Sequence, residues 1–387
     1  LMRDTFLPFS PPFLGEEEVD EVVAALRSGW ISRGPRTAAF EEAFADRVGA
    51  PAALALNSCT AGLHLSLLVH GIGPGDEVVV PTMTFCASAN VVEHVGARPV
   101  LVDVEPDTLT VDPAAVEAAL TERTRAVVVV HYAGHPAEMD ALEGLAADHG
   151  LALVDEAAHA VPAAFRGRPV GSRGSLASFS FYATKNLTTG EGGMLTGDPE
   201  LVERARILGL HGMSRDAWKR YDGEGSWYYE VVAPGYKYNM TDVQAALGLR
   251  QLERLDGMQR RRREVVARYD AAFGGRPELR IPVEREHVDS SWHLYPLRLT
   301  GAAPVDRDAF IRGLTGRRIG TSVHYIPLHL HPWYRERYGY VEEDFPVAQS
   351  AYEGLVSLPL HPGLSDRDVD DVVEAVEAVL RERPAGC

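Results

Sequence analysis

The chain has 387 residues, 45% apolar and 24% charged, the balance of a soluble globular protein long enough for a substantial core and two domains. Its formal charge of −17 argues against nucleic acid or an anionic membrane as the main partner, because both present phosphate. No apolar run reaches the roughly 18 residues of a membrane span, and the N-terminal segment carries prolines and acids in place of a signal-peptide core. Cys59, Cys86 and Cys387 show no paired framework, so a reducing, cytoplasmic setting is expected.

The proline-rich start gives way at Gly15 to an amphipathic helix with Val19, Val22, Val23 and Leu26 on one face. Residues 28–35, SGWISRGP, read as a loop. A second helix over 37–48 carries Phe40 and Phe44 at i, i+4. Strands and helices then alternate. Strands are predicted at 52–58, 77–81, 98–104, 125–132 and 151–156. Helices are predicted over 60–70, after Thr84, over 112–120 and over 138–149. Runs such as VVVV suit strands covered on both faces, so the alternation predicts a parallel sheet wrapped by helices. GIGPGDE at 71–77 has a dinucleotide-like glycine pattern, but it precedes a strand and reads as a turn.

The stretch 175–195, SLASFSFYATKNLTTGEGGML, begins as a strand, reaches Lys185 and enters a glycine-rich turn. The chain has three lysines, Lys185, Lys219 and Lys237, against a majority of arginines. Arginine cannot form an imine, whereas a lysine amine can form a Schiff base with an aldehyde. A lysine snorkelling from a strand end explains the local pattern equally well. A further strand and a helix over 199–208 follow. Residues 211–242 are polar, aromatic and rich in turn formers, and are not expected in the core. A long helix starts at 242, and beyond about 275 shorter elements suggest a second, α+β domain. The last helix bears Val369, Val372, Val373, Val376 and Val379.

In a parallel sheet, ligands collect beyond the carboxyl ends of the strands. There the chain offers Ser58, Thr60 and Ala61 at a helix start, suited to phosphate or to an ordinary cap. It also offers the aromatic face of Phe85, then Asp155, Glu156 and His159, then Ser180 and Lys185. An amine, an anion site, an aromatic plate and a carboxylate are the parts pyridoxal 5′-phosphate (PLP) requires.

The blocks NSCTAGLHLSL (57–67), PTMTFCAS (81–88), HYAGHPAEMD (131–140), VDEAAHA (154–160), SFSFYATKNLTTGEGGML (178–195) and PGYKYNMTD (234–242) resemble the DegT/DnrJ/EryC1/StrS family of PLP-dependent sugar-nucleotide aminotransferases. The resemblance implies an α/β architecture of PLP fold type I, like aspartate aminotransferase. It implies a large cofactor domain over 1–255, a small C-terminal domain over 256–387, and a cytoplasmic homodimer with shared active sites. Lys185 would bind the cofactor aldehyde. Ser58, Thr60, Ala61 and Ser180 would hold its phosphate, with Asn239 reaching in from the partner. Phe85 would stack on the ring and His159 would sit near its phenolic oxygen. The family usually reads Glu-Asp-Ala-Ala-His/Gln, but here Asp155 precedes Glu156. A gapless match gives the ring nitrogen to Glu156, with Asp155 the alternative, since neighbours on a strand point to opposite sides.

The implied reaction moves an amino group from glutamate or glutamine to a nucleotide-linked keto sugar. Similarity of the 211–238 loop to C4-aminating members favours dTDP-4-keto-6-deoxy-D-glucose. His324, Tyr325, Trp218, Lys219, Arg220 and Tyr228 are the expected substrate contacts. A sugar dehydratase on the same scaffold, in which histidine replaces the lysine, and a non-catalytic sugar-nucleotide-binding or regulatory protein are the alternatives. His324, His329 and His331 match no standard zinc spacing, so no metal is expected. The run Arg260–Arg263 reads as a solvated or dimer-facing surface.

Overall fold

A computed structural model describes residues 3–213 and 229–381. The chain opens with helices α1 (Glu16–Ser28) and α2 (Pro35–Val48). The central sheet is then built from β1 (Ala53–Leu56), β2 (Glu77–Pro81), β3 (Arg98–Val102), β4 (Thr124–Val130), β5 (Ala152–Glu156), β8 (Leu176–Ser180) and β9 (Gly193–Thr196). Helices α3 (Cys59–Val69), α4 (Ala87–His94), α5 (Pro113–Ala119) and α6 (Met139–His149) alternate with the early strands. The short strands β6 (Ala164–Phe165) and β7 (Arg168–Pro169) lie between β5 and β8, and α7 (Pro199–Leu208) follows β9.

The sheet order is β1-β9-β8-β5-β4-β2-β3. Five strands, from β8 to β3, run parallel, and β9 is antiparallel to both its neighbours. The predicted strands are all present, with ends displaced by at most two residues where turns or caps take over. β2 and β4 are buried along nearly their whole length, as continuous valine runs between two helical layers require.

Helix α8 (Asp242–Phe273) is 32 residues long and begins in a capping box between Thr241 and Gln244. It runs without a break across residues 255–256. Its part up to Met258 contributes Leu255 and Met258 to the core beneath β8, and the part beyond contributes Val265, Val266, Tyr269 and Phe273 to a separate core. Around that second core lie β10 (Leu279–Arg280), β12 (Tyr295–Leu299) and β13 (Leu355–Leu358), an antiparallel sheet in the order β10-β12-β13. β11 (Val288–Asp289) instead pairs with β6. Helices α9 (Arg307–Gly316), α10 (Pro332–Tyr338), α11 (Pro346–Gly354) and α12 (Asp366–Arg381) complete the chain. Val369, Val372, Val376 and Val379 of α12 are buried as predicted. Among the described residues, no helix is long and apolar enough to cross a membrane.

Three expectations are corrected. The valine stripe of α1 does not face the core: Val19 is 51% and Leu26 54% exposed, whereas Glu18 and Ala25 are buried. Glu18 explains the orientation, because its carboxylate accepts hydrogen bonds from Gln251 and Arg254 of α8 and from the Gly15 amide. The arginine run is not wholly solvated either. Arg262 is buried, and its Nη1 donates to the Leu360 carbonyl at 2.7 Å and to the Trp292 and His293 carbonyls at 3.5 Å. At the end of the 211–242 stretch, Met240 and Asp242 are fully buried. The Asp242 carboxylate accepts from the Gly34, Arg36 and Thr37 amides at the start of α2, which stabilises that helix end.

Candidate active site

The site forms where β5 and β8 end above the N-terminus of α3. Alternation along β8 sets its two faces. Phe179 and the following Phe181 pack on Phe40 and Phe44 of α2, with ring centroids 5.0–5.4 Å apart. Ser178 and Ser180 point the other way, and Ser178 Oγ donates to the Cys59 carbonyl at 2.8 Å. After Ser180 the chain turns through Tyr182 to Lys185, whose amide donates to the Tyr182 carbonyl at 2.9 Å. Asn186 locks the next step, its Nδ2 donating to the Val161 and Ser291 carbonyls at 3.0 and 2.8 Å.

Ser58 is the N-cap of α3, and its Oγ accepts from the Ala61 amide at 3.1 Å. The Cys59 and Thr60 amides precede the first intrahelical bond and stay available to an anion. Gly193 lets β9 press against this helix start. A Cβ there would lie 2.5 Å from the Ser58 carbonyl carbon and 2.6 Å from the Cys59 nitrogen.

These elements enclose a cavity of about 320 Å³. It brings together Ser58, Thr60, Phe85, Glu156, Ser180 and Lys185 of the predicted cofactor set, and His324 and Tyr325 of the predicted substrate set. Phe85 is 56% exposed and offers a bare ring face beside Tyr325. Burial lowers the Lys185 amine to about 8, partly opposed by the Glu156 carboxylate. Burial pushes the Glu156 carboxyl up, partly opposed by Lys185. Glu156 Oε1 accepts from the Ala158 amide at 2.9 Å.

Four predicted residues lie elsewhere. Asp155 is on the opposite face of β5, where its Oδ2 accepts from Ser175 Oγ at 3.0 Å and lies 3.8 Å from His131 Nε2. Ala61 is buried and its amide is taken by Ser58. Asn239 bonds Lys237 Nζ and the Met240 carbonyl within its own chain and does not line this cavity. His159 sits behind Tyr325: its Nε2 is 2.9 Å from the Tyr325 hydroxyl. Trp218, Lys219, Arg220 and Tyr228 lie outside the described residues. Ser88, Tyr182, Thr184 and Glu191 also line the cavity. Sequence reasoning missed them, although Thr184 and Tyr182 flank Lys185 closely enough for proximity alone to have flagged them. No group of histidine, cysteine and acidic side chains suited to a metal ion occurs among the described residues.

The arrangement fits a phosphorylated pyridine aldehyde. It combines a buried amine near neutrality, a helix N-terminus with free amides and hydroxyls, an open aromatic face and a buried carboxylate, all on one cavity.

Comparison with known proteins agrees. The sequence profile of the DegT/DnrJ/EryC1/StrS aminotransferase family matches residues 12–377. The spore coat polysaccharide biosynthesis protein SpsC of Bacillus subtilis (strain 168) is 52% identical over 382 residues, covering 98% of each chain. Spr1654 from Streptococcus pneumoniae, solved in PLP and PMP forms, is 39% identical with a TM-score of 0.90, over 97% of this chain and 98% of that one. The sugar aminotransferase CalS13 from Micromonospora echinospora is 31% identical with a TM-score of 0.86, over 96% and 99% of the two chains. The chain therefore belongs to the DegT/DnrJ/EryC1/StrS family, whose members are PLP-dependent sugar aminotransferases.

Proposed function

We propose that the enzyme aminates a nucleotide-linked keto sugar, with dTDP-4-keto-6-deoxy-D-glucose as substrate, C4 as the carbon aminated, and glutamate or glutamine as donor. The observation that carries the reaction type is the pairing of Lys185 and Glu156 across one cavity with the α3 N-terminus. The C4 assignment rests on the similarity of the 211–238 loop to C4-aminating relatives.

PLP, when bound, would supply the electron sink that transamination requires. Lys185 would anchor the cofactor through its aldehyde, and its freed Nζ would carry a proton from the donor carbon to the cofactor C4′ carbon in one half-reaction and from C4′ to the sugar carbon in the other. An amine lowered to about 8 retains an appreciable neutral fraction at neutral pH, which this task needs. Glu156 holds the ring nitrogen protonated. Its burial keeps water from competing for that contact. The Cys59 and Thr60 amides, with the Ser58, Thr60 and Ser180 hydroxyls, seat the phosphate. Phe85 covers one ring face, and His324 and Tyr325 meet the substrate.

The working unit in this reading is a cytoplasmic homodimer with shared sites, in which Asn239 serves the partner's cofactor. Asn239 stands away from its own cavity, and the exposed Val19, Leu26, Trp30 and Ile31 offer an apolar surface for a second copy. Trp218, Lys219, Arg220 and Tyr228 complete the nucleotide-sugar contacts, and the cofactor domain extends to about residue 255.

Turnover of the PLP-loaded enzyme against a panel of nucleotide keto sugars, with NMR of the product, tests the proposal. A new amine at C4 of the dTDP sugar is expected. Amination at another carbon overturns the regiochemistry, and no amino transfer to any member overturns the reading.

A further inference from the structure

The hydrogen bonds behind Tyr325 fix the direction in which its hydroxyl proton points. The Ala133 amide can only donate, and it donates to His159 Nδ1 at 3.2 Å. A neutral His159 therefore carries its proton on Nε2. Burial holds His159 neutral, lowering it well below its usual value, with Lys185 adding to the effect. Nε2–H then donates to the Tyr325 oxygen at 2.9 Å.

The Tyr325 hydroxyl hydrogen is thus left without an acceptor among the described residues, on a side chain that lines the cavity with Lys185, Glu156 and Phe85. His159 is held on two further sides. Its backbone carbonyl accepts from Ser291 Oγ, and its ring packs on His293 at 4.4 Å. His293 is held in turn: Asn186 Nδ2 is spent on two carbonyls, so Asn186 Oδ1 accepts from His293 Nδ1 at 3.1 Å. The Tyr132 hydroxyl donates to the His324 carbonyl and fixes the backbone at Tyr325.

We propose that Ala133, His159 and Tyr325 form a one-way hydrogen-bond relay that aims the Tyr325 hydroxyl at an oxygen acceptor bound beside Lys185. Tyr325 contacts the ligand, and His159 is a positioning residue. The acceptor is an oxygen bearing negative charge in the reaction, supplied either by the cofactor ring or by the keto sugar. The inference rests on the PLP-dependent reading of the site but not on the identity of the sugar.

The test uses PLP-loaded enzyme and reads the pH midpoint of the cofactor's visible band, with no substrate present. The titratable groups around Tyr325 are His159, His324, Glu156, Lys185, Tyr132, Cys59 and Cys86, and all are retained in Tyr325→Phe. If the acceptor is the cofactor ring oxygen, Tyr325→Phe raises the midpoint by about one pH unit, because a donor stabilises that oxygen most when the neighbouring proton has left. If the acceptor belongs to the sugar, the midpoint stays. The half-saturating concentration of the nucleotide keto sugar that the wild-type enzyme aminates, read in single turnover with the PMP form, then rises about tenfold. His159→Leu reproduces Tyr325→Phe. His159→Gln, which keeps an acceptor towards Ala133 and a donor towards Tyr325, preserves wild-type behaviour. The midpoint is read only from loaded protein, so a fold defect does not imitate the shift. A Tyr325→Phe variant unchanged in both readouts, or a His159→Gln as defective as His159→Leu, overturns the relay.

Discussion

Asp155 and Glu156 are neighbours on β5, and their carboxylates leave the sheet in opposite directions. Glu156 shares its face with Val154 and meets the cavity that holds Lys185. Asp155 shares its face with Leu153 and ends at Ser175 and His131, on the far side. Two side chains of like charge at adjacent positions are thereby given separate electrostatic settings by the pleat alone.

Replacement of the two residues therefore has different consequences. Glu156→Ala removes the one carboxylate that, among the described residues, is buried at the cavity wall. Its turnover is expected to fall by about two orders of magnitude or more, with a weakened cofactor. Asp155→Ala leaves Ser175 and His131 facing an unfilled polar space, lowers stability by about 1–3 kcal/mol and changes cofactor affinity far less. Cofactor titration and thermal melting of both variants check this. A Glu156→Ala enzyme with normal turnover refutes the assignment.

The amine of Lys185 sets a pH dependence. Only the neutral amine attacks an aldehyde, and burial has lowered it from 10.5 to about 8. Reloading of apoenzyme with PLP should accelerate as pH rises and level off above about 8. A rate still climbing steeply near pH 10 would show an amine left at its solvent value. Stopped-flow absorbance across pH 6–10 measures it.

Lys185→Ala removes both the cofactor anchor and the proton carrier. Its transamination rate should drop by roughly 10³-fold or more, and the visible band that disappears on borohydride treatment of wild-type enzyme should be absent. Full activity in this variant would contradict the whole reaction scheme.

Gly193 has a role set by space. The Cβ of Gly193→Ala would fall 2.5 Å from the Ser58 carbonyl carbon, so the α3 N-terminus must move away from β9. The phosphate seat moves with it. The dissociation constant for PLP is expected to rise at least about tenfold, or about 1.4 kcal/mol, while Lys185 remains reducible onto added cofactor. Equilibrium titration of PLP into the apoenzyme decides the matter.

Arg262 is buried with carbonyl partners at Trp292, His293 and Leu360. Burial lowers its pKa to about 9. Arg262→Met strands the Leu360 carbonyl and should cost about 1–3 kcal/mol, seen as a lower melting temperature. Arg260→Met, at an exposed position of the same helix, should change stability by less than about 0.5 kcal/mol.

By itself the sequence pointed to the parallel sheet, to the strand ends where ligands gather, and to Ser58, Thr60, Ala61, Phe85, Asp155, Glu156, His159, Ser180 and Lys185 as the residues collected there. Those features are local: a valine run, a cap and a glycine turn declare themselves within a few residues. The tertiary structure decided what depends on partners distant in the chain. Periodicity identified an apolar stripe on α1, but Glu18 chose which face is buried by finding Gln251 and Arg254 more than 230 residues away. The charge of Arg262 suggested solvent, until three carbonyls from later segments enclosed it. His159 was legible as a site residue. Its place behind Tyr325, 166 residues further along, was not, because residue types fix which hydrogen bonds are possible and only packing fixes which are made.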